Sequence, residues 1–199
     1  MKLDTGLWPM PTATLDANDA KFARYRDYLR LAAAVGIDPR LRDKFDPSDI
    51  VQETLFEAVR DWDRCSGASE EERLAWLRRM LANNLLDGVK RFRAEKRDVG
   101  RERSLEESVQ TTMGRLGEML AGDVSTPSCR AMRDERDLQI AEAVAALPDA
   151  QREAVILQRW HGWSLAEIGE RLDRSPEAVA GLIFRAQRAL HQSLAALAP

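Results

Sequence analysis

Phe22, Tyr25, Leu29 and Ala32 recur at steps of three and four residues, the spacing that aligns one buried face of an α-helix, until Gly36 and Pro39 interrupt it. A first helix therefore ends there. In Asp46-Pro47-Ser48-Asp49 a capping acid precedes a first-turn proline, and a second acid lies near the positive end of the helix dipole. This predicts a second helix running towards Trp62. Its apolar side would be Ile50, Val51, Thr54, Leu55, Ala58, Val59 and Trp62, leaving Asp49, Gln52, Glu53 and Glu57 outward. Cys65 to Ser69 reads as a loop. From Glu70 to Lys96 a third helical pattern places Leu77, Leu81, Leu85, Val89 and Phe92 on one face, with Arg79, Asn83, Asp87 and Arg91 roughly opposite.

Beyond Val99 the periodicity breaks. Gly100, Gly114, Gly117 and Gly122, followed by Val124-Ser125-Thr126-Pro127-Ser128, read as a linker with short helical pieces at most. The C-terminal part is sharply punctuated. Leu147-Pro148-Asp149 opens a helix carrying Ala154, Val155, Leu157 and Trp160, which stops at His161-Gly162 because glycine accepts a left-handed exit. Ser164-Leu165-Ala166-Glu167 is a capping box for a short helix through Leu172. After the turn Asp173-Arg174-Ser175-Pro176, a longer helix runs through Val179, Leu182, Ile183, Ala186, Leu190 and Leu194. The expected fold is all-α, with two small helical domains on a flexible linker. The boundaries are an extension over 1–19, a helical bundle over 20–98, a linker over 99–134 and a helix-turn-helix domain over 135–199. On this reading the lobes are tethered and not fused.

Overall charge adds little, since 30 Lys and Arg nearly balance 33 Asp and Glu. Its distribution adds more. Residues 43–72 hold ten acids against three bases, whereas residues 78–103 hold nine bases against four acids. Adjacent patches of opposite sign fit two partners, one basic and one polyanionic, although charged helices also solvate their outer faces in this way. Cys65 and Cys129 lie far apart in sequence and form no C-x-x-C pair, so neither a disulfide framework nor a zinc site is expected. No apolar run approaches the roughly 20 residues of a membrane span, and the start MKLDTGLWPMP is not a signal peptide. A cytoplasmic protein without membrane attachment is expected. His161 and His191 are isolated, and no phosphate loop or nucleophile elbow is present, so no catalytic residue, metal or cofactor is expected. His161 reads as a helix terminator.

A short helix, a tight turn and a longer helix with a polar N-terminus make a helix-turn-helix, whose second helix enters the major groove. The candidate DNA contacts there are Ser175, Glu177, Arg185 and Arg188, with Ala178 beside them. On the third helix, Arg79, Lys90, Arg91, Arg93, Lys96 and Arg97 suit phosphates, and Asn83 suits the edge of an unpaired base. Asn84 reads equally as a satisfied buried amide, and Trp62 and Trp76 read as core more readily than as base-stacking platforms.

These motifs together resemble the bacterial sigma-70-family factors of the small extracytoplasmic-function (ECF) type, over residues 20–97 and 135–195. The segment from Asp46 to Leu55 resembles the region-two helix that docks on core RNA polymerase, which implies polymerase contacts at Asp49, Gln52, Glu53 and Glu57. The segment from Trp76 to Asp87 resembles the helix that opens and reads the promoter element near the start site. That implies contacts from Arg79, Asn83, Asp87, Lys90 and Arg91 to the melted strand. Leu147 to Leu194 resembles region four, which reads the more distant duplex element. The chain departs from the family at Ala180, Gly181 and Leu182, where many relatives carry polar or basic residues; this shifts reading to Ser175, Glu177, Arg185 and Arg188. Asp87 would tune specificity by repulsion. The implied partners are core RNA polymerase and promoter DNA, with an anti-sigma regulator as a family expectation. Two other classes remain open: a stand-alone helix-turn-helix regulator with a dimerising or sensing N-terminal lobe, and an adaptor that does not read DNA.

Strand opening needs no catalysis, only tighter binding to the melted strand, recovering about a few kcal/mol per unstacked base. The linker sets a reach. About 30 flexible residues relax to a span near 30 Å, whereas two elements roughly one and a half turns apart lie about 50 Å from each other. A bound linker is thus stretched, within a contour limit of ~100 Å. Deleting a third of residues 99–130 is expected to impair transcription from the promoter while leaving polymerase binding intact; equal loss of both would contradict this.

Overall fold

The computed structural model describes residues 15–42, 46–65, 67–95 and 127–195, with side chains at 22–42, 46–64, 67–92 and 134–195. The extension up to residue 14, the linker over 99–126 and the side chains of Arg93, Lys96, Arg97, Cys65 and Cys129 lie outside the described residues. Among those residues the protein is all-helical, with helices α1 (Leu15–Gly36), α2 (Pro47–Arg60), α3 (Glu70–Glu95), α4 (Pro127–Ala145), α5 (Asp149–Arg159), α6 (Leu165–Leu172) and α7 (Pro176–Ala195). Two single 3₁₀ turns, Pro39–Leu41 and Trp62–Cys65, follow α1 and α2.

The N-terminal lobe forms as its stripes dictate. Tyr25, Leu29 and Ala33 of α1 are buried against Leu74, Leu77, Leu81, Leu85 and Val89 of α3. Helix α2 starts where its capping acid stands: Asp46 accepts from the Ser48 N–H at 2.8 Å. It buries Val51, Thr54 and Ala58, and the Thr54 hydroxyl satisfies itself on the Ile50 carbonyl at 2.7 Å. Val59, expected on the apolar side, is 57% exposed, because the side of α2 that meets α1 and α3 is centred on Val51, Thr54 and Ala58. Helix α3 is opened by a reciprocal box in which the Ser69 N–H donates to Glu72 at 2.7 Å and Ser69 Oγ accepts from the Glu72 N–H at 3.2 Å. One end of the lobe is sealed by aromatic contacts: the Trp62 ring lies 4.8 Å from Phe22, 5.8 Å from Tyr25 and 6.5 Å from Trp76. Both tryptophans are half-buried and pack against the core. Burial and a 2.9 Å hydrogen bond donated to Glu70 push the Tyr25 hydroxyl up to about 12.

Helix α4 departs from the tethered arrangement. It begins at Pro127, inside the span expected to be linker, and packs on α1 and α3, with Leu138 and Ala141 buried in the same core as Leu29 and Leu85. Arg152 of α5 then closes the corner, its guanidinium donating to the carbonyls of Val144 (3.2 Å), Ala145 (2.7 Å) and Leu147 (2.6 Å) that α4 leaves open at its end. Helices α5, α6 and α7 enclose a second core of Ala154, Leu157, Ile168, Val179, Leu182 and Ile183.

Polar contacts stitch the two lobes. Arg24 pairs with Glu142 and, at 2.9 Å, with Glu135. Arg42, with a side chain only 12% exposed, meets Glu153 at 3.1 Å and also donates to the Ala34 carbonyl. His161 Nε2 lies 2.9 Å from that same carbonyl and 3.1 Å from Arg42. The helix does end beside His161, yet the imidazole is used across the lobe boundary, a contact invisible in local sequence. A cavity of about 460 Å³ remains between α1 and the α4–α5 corner. Replacing Arg42 by Ala leaves Glu153 in the seam without this donor and removes one of the two contacts on the Ala34 carbonyl, and is expected to lower stability by about 2 kcal/mol with helix content unchanged in the absence of denaturant. Urea unfolding followed by circular dichroism checks it, and a loss below about 0.5 kcal/mol would contradict a stabilising seam.

Candidate nucleic-acid interface

Helix α6, the turn after it and α7 are held at a fixed angle by local chemistry. The capping box is complete: Ser164 Oγ accepts from the Glu167 N–H at 3.3 Å, and Glu167 accepts from the Ser164 N–H at 2.8 Å and from its hydroxyl at 2.7 Å. The donated backbone bond, then the hydroxyl, hold the Glu167 carboxyl below its ordinary range. At the turn Asp173 adopts a left-handed conformation (φ 52°) and the Arg174 N–H returns to the Gly169 carbonyl at 2.9 Å. The chain comes so close here that a Cβ on Gly169 would stand 2.6 Å from the Arg174 carbonyl oxygen.

Helix α7 turns Val179, Leu182, Ile183 and Ala186 inward. Its outward stripe, at steps of four, three and four, is Glu177, Gly181, Phe184 and Arg188, with Arg185 alongside. Ser175, Glu177, Arg185 and Arg188, the four contacts expected from sequence, are all exposed at or beyond the start of this helix. Ser175 Oγ accepts from the Ala178 N–H at 3.3 Å and so caps the helix. A bond from its own backbone N–H, then one from Ser175, depress the Glu177 carboxyl, which is thus ionised at the helix N-terminus. A carboxylate there can accept from cytosine N4, and the arginines suit guanine or phosphate.

Residues 137–190 match the family model described as Sigma-70, region 4. The matched span runs from α4 through the α4–α5 corner to near the end of α7, so it takes in the helix-turn-helix and its support. The C-terminal lobe therefore contains a sigma-70 region 4 domain of helix-turn-helix type, which indicates a DNA-binding, transcription-related function. Leu182 is buried in this domain, which removes it from the outward set, while Ala180 and Gly181 stay at the surface.

The N-terminal lobe presents two further polar faces. On α2, Asp49, Gln52 and Glu53 are exposed as expected, and Phe56 continues their stripe at 72% exposure. Glu57 differs from its expected outward placing. It is half-buried and accepts from Asn84 Nδ2 at 3.0 Å, because its side of α2 meets α3. The same amide reaches Thr54 Oγ1 at 3.2 Å, so Asn84 is a satisfied amide that ties the two helices together. On α3, Arg79, Asn83, Asp87, Lys90 and Arg91 are all exposed on the side away from the leucine ladder. Asp87, expected to act by repulsion, pairs with Lys90 at 3.0 Å; both are exposed, so the pair is weak and easily exchanged for another partner. Among the described residues no three His, Cys, Asp or Glu side chains gather as a metal site, and no helix is long and apolar enough to cross a membrane.

Sequence reasoning passed over Phe56, Phe184 and Gly169. The two phenylalanines sit beside apolar neighbours, and periodicity alone did not separate them from core. Gly169 had a signal, a glycine inside an eight-residue helix just before a turn. Gly169→Ala is expected to destabilise the region 4 domain by about 1–3 kcal/mol, since the obstructing atom is backbone and cannot rotate away. Thermal unfolding of the full chain checks this, and an unchanged melting temperature would contradict the close approach.

Proposed function

We propose that the chain is a sigma factor of the ECF type, which binds core RNA polymerase in the cytoplasm and directs it to promoter DNA, without an active site or cofactor of its own. The observation that carries this reading is the presence, beside the matched region 4 domain, of a second lobe with an exposed acidic and apolar stripe on α2 and an exposed basic and amide face on α3. The stripe of Asp49, Gln52, Glu53 and Phe56 suits a basic partner with an apolar groove, as the polymerase would offer. Glu57 contributes by setting Asn84 and so the angle between the two helices. Arg79, Asn83, Lys90 and Arg91 suit a melted strand, with Asp87 modulating Lys90. Region 4 would read the upstream duplex through Ser175, Glu177, Arg185 and Arg188. The domain division proposed is residues 20–98 for polymerase docking and strand opening, 99–134 for the connection and 135–199 for duplex reading. An anti-sigma protein would act by covering one of these faces.

A stand-alone regulator draws support from the exposed Phe56 and Val59, which would serve equally as a dimer seam. Retention on purified core RNA polymerase separates the two. The wild-type chain is expected to be retained, and the folded double variant Asp49→Arg, Glu53→Arg to lose at least tenfold in affinity. A wild-type chain that passes through unbound and sediments as a dimer would overturn the sigma reading.

A further inference from the structure

The ion pairs that join the lobes run one way. Arg24 of α1 meets Glu135 at 2.9 Å and also Glu142 of α4, Arg42 meets Glu153 of α5 at 3.1 Å, and Arg78 of α3 lies 4.0 Å from Asp134 of α4. In each of these pairs the base belongs to the N-terminal lobe and the acid to α4 or α5. The three guanidiniums also share a track along α1. Arg24 stands on that helix, Arg78 reaches Tyr28 Oη at 3.4 Å, and Arg42 donates to the Ala34 carbonyl. From position 24 to position 34 an α-helix rises about 15 Å, enough for several consecutive phosphates of a DNA strand. Asp27, on the same helix, has Arg30 at 4.0 Å. Like charges gathered in a row repel one another unless an anion lies along them.

We infer that this row is a covered phosphate-binding surface of the N-terminal lobe, in which the acids of α4 and α5 stand where DNA phosphates would lie. The inference rests on the reading of α3 as a DNA-binding face and extends that face around the helix, since Arg78 is followed directly by the exposed Arg79. A guanidinium offers the same planar fork to a carboxylate and to a phosphate. Glu135 and Glu142, from two different turns of α4, share the single guanidinium of Arg24, much as two phosphate oxygens could. Exchanging α4 for a DNA strand therefore keeps each arginine paired. DNA and α4 exclude each other on this surface, so the firmness with which α4 docks sets how readily the N-terminal lobe holds a strand.

The test measures, by fluorescence anisotropy at low salt, the binding of an oligothymidylate of about 20 nucleotides to the full chain. The double variant Glu135→Gln, Glu142→Gln leaves Arg24 to the oligonucleotide. It is expected to bind about fivefold more tightly than wild type, with a salt dependence steeper by about 0.7 for each phosphate gained. Adding Arg24→Gln to that pair is expected to return the affinity to the wild-type level. Arg24→Gln by itself breaks the same ion pairs and is expected to bring no gain, which separates an uncovered cation from a loosened seam. All three variants keep Leu138 and Ala141 and are expected to stay folded by circular dichroism. A double variant no tighter than wild type, or a triple variant that keeps most of the gain, would overturn the covered surface and leave the reading of α3 standing. Absence of binding by every variant and by wild type would overturn the DNA reading of α3, and this inference with it.

Discussion

Leu138 is fully buried against α1 and α3, and the relation between the two lobes depends on that burial. A leucine removed completely from water stabilises by about 2 kcal/mol, and Ala141, one turn later, extends the contact. Because both sit on α4, whose far end is tied by Arg152 to α5, docking α4 places the whole helix-turn-helix beside the N-terminal lobe. The recognition stripe of α7, the acidic stripe of α2 and the polar face of α3 nevertheless remain exposed in this arrangement. Docking therefore fixes the spacing of the binding faces without covering them.

The remainder of the seam is of a different kind from the cores on either side of it. Arg24, Arg42, Glu135, Glu142, Glu153 and His161 meet through hydrogen bonds and ion pairs next to a cavity of about 460 Å³. Ion pairs with water close by are weakened by salt, and their partners can be rehydrated when separated.

Within each lobe, the inward stripes leave the functional faces as their complement. Once Leu77, Leu81, Leu85 and Val89 are buried, the helical period sends Arg79, Asn83, Asp87 and Arg91 to water. Once Val179, Leu182, Ile183 and Ala186 are buried, Glu177 and Arg188 face outward. For this reason the candidate contacts on α3 and α7 are legible in the amino-acid sequence itself. The caps are legible for a related reason, since each is a bond between residues two to three apart: Asp46 to Ser48, Ser164 to Glu167, Ser175 to Ala178.

Local spacing by itself determined the described helices other than α4, their caps, the helix-turn-helix and most of the outward polar residues, because those depend on groups within one or two turns of each other. Tertiary structure alone decided the rest. Whether Phe56, Val59 and Phe184 are core or surface depends on how wide a stripe the neighbouring helix covers, which no period reveals. Glu57 turns to Asn84, 27 residues away, and Arg42 meets Glu153 and His161 across 111 and 119 residues. The docking of α4 was not legible either: the helix begins in a span that reads as linker, and only the assembled chain supplies the surface that buries Leu138 and Ala141.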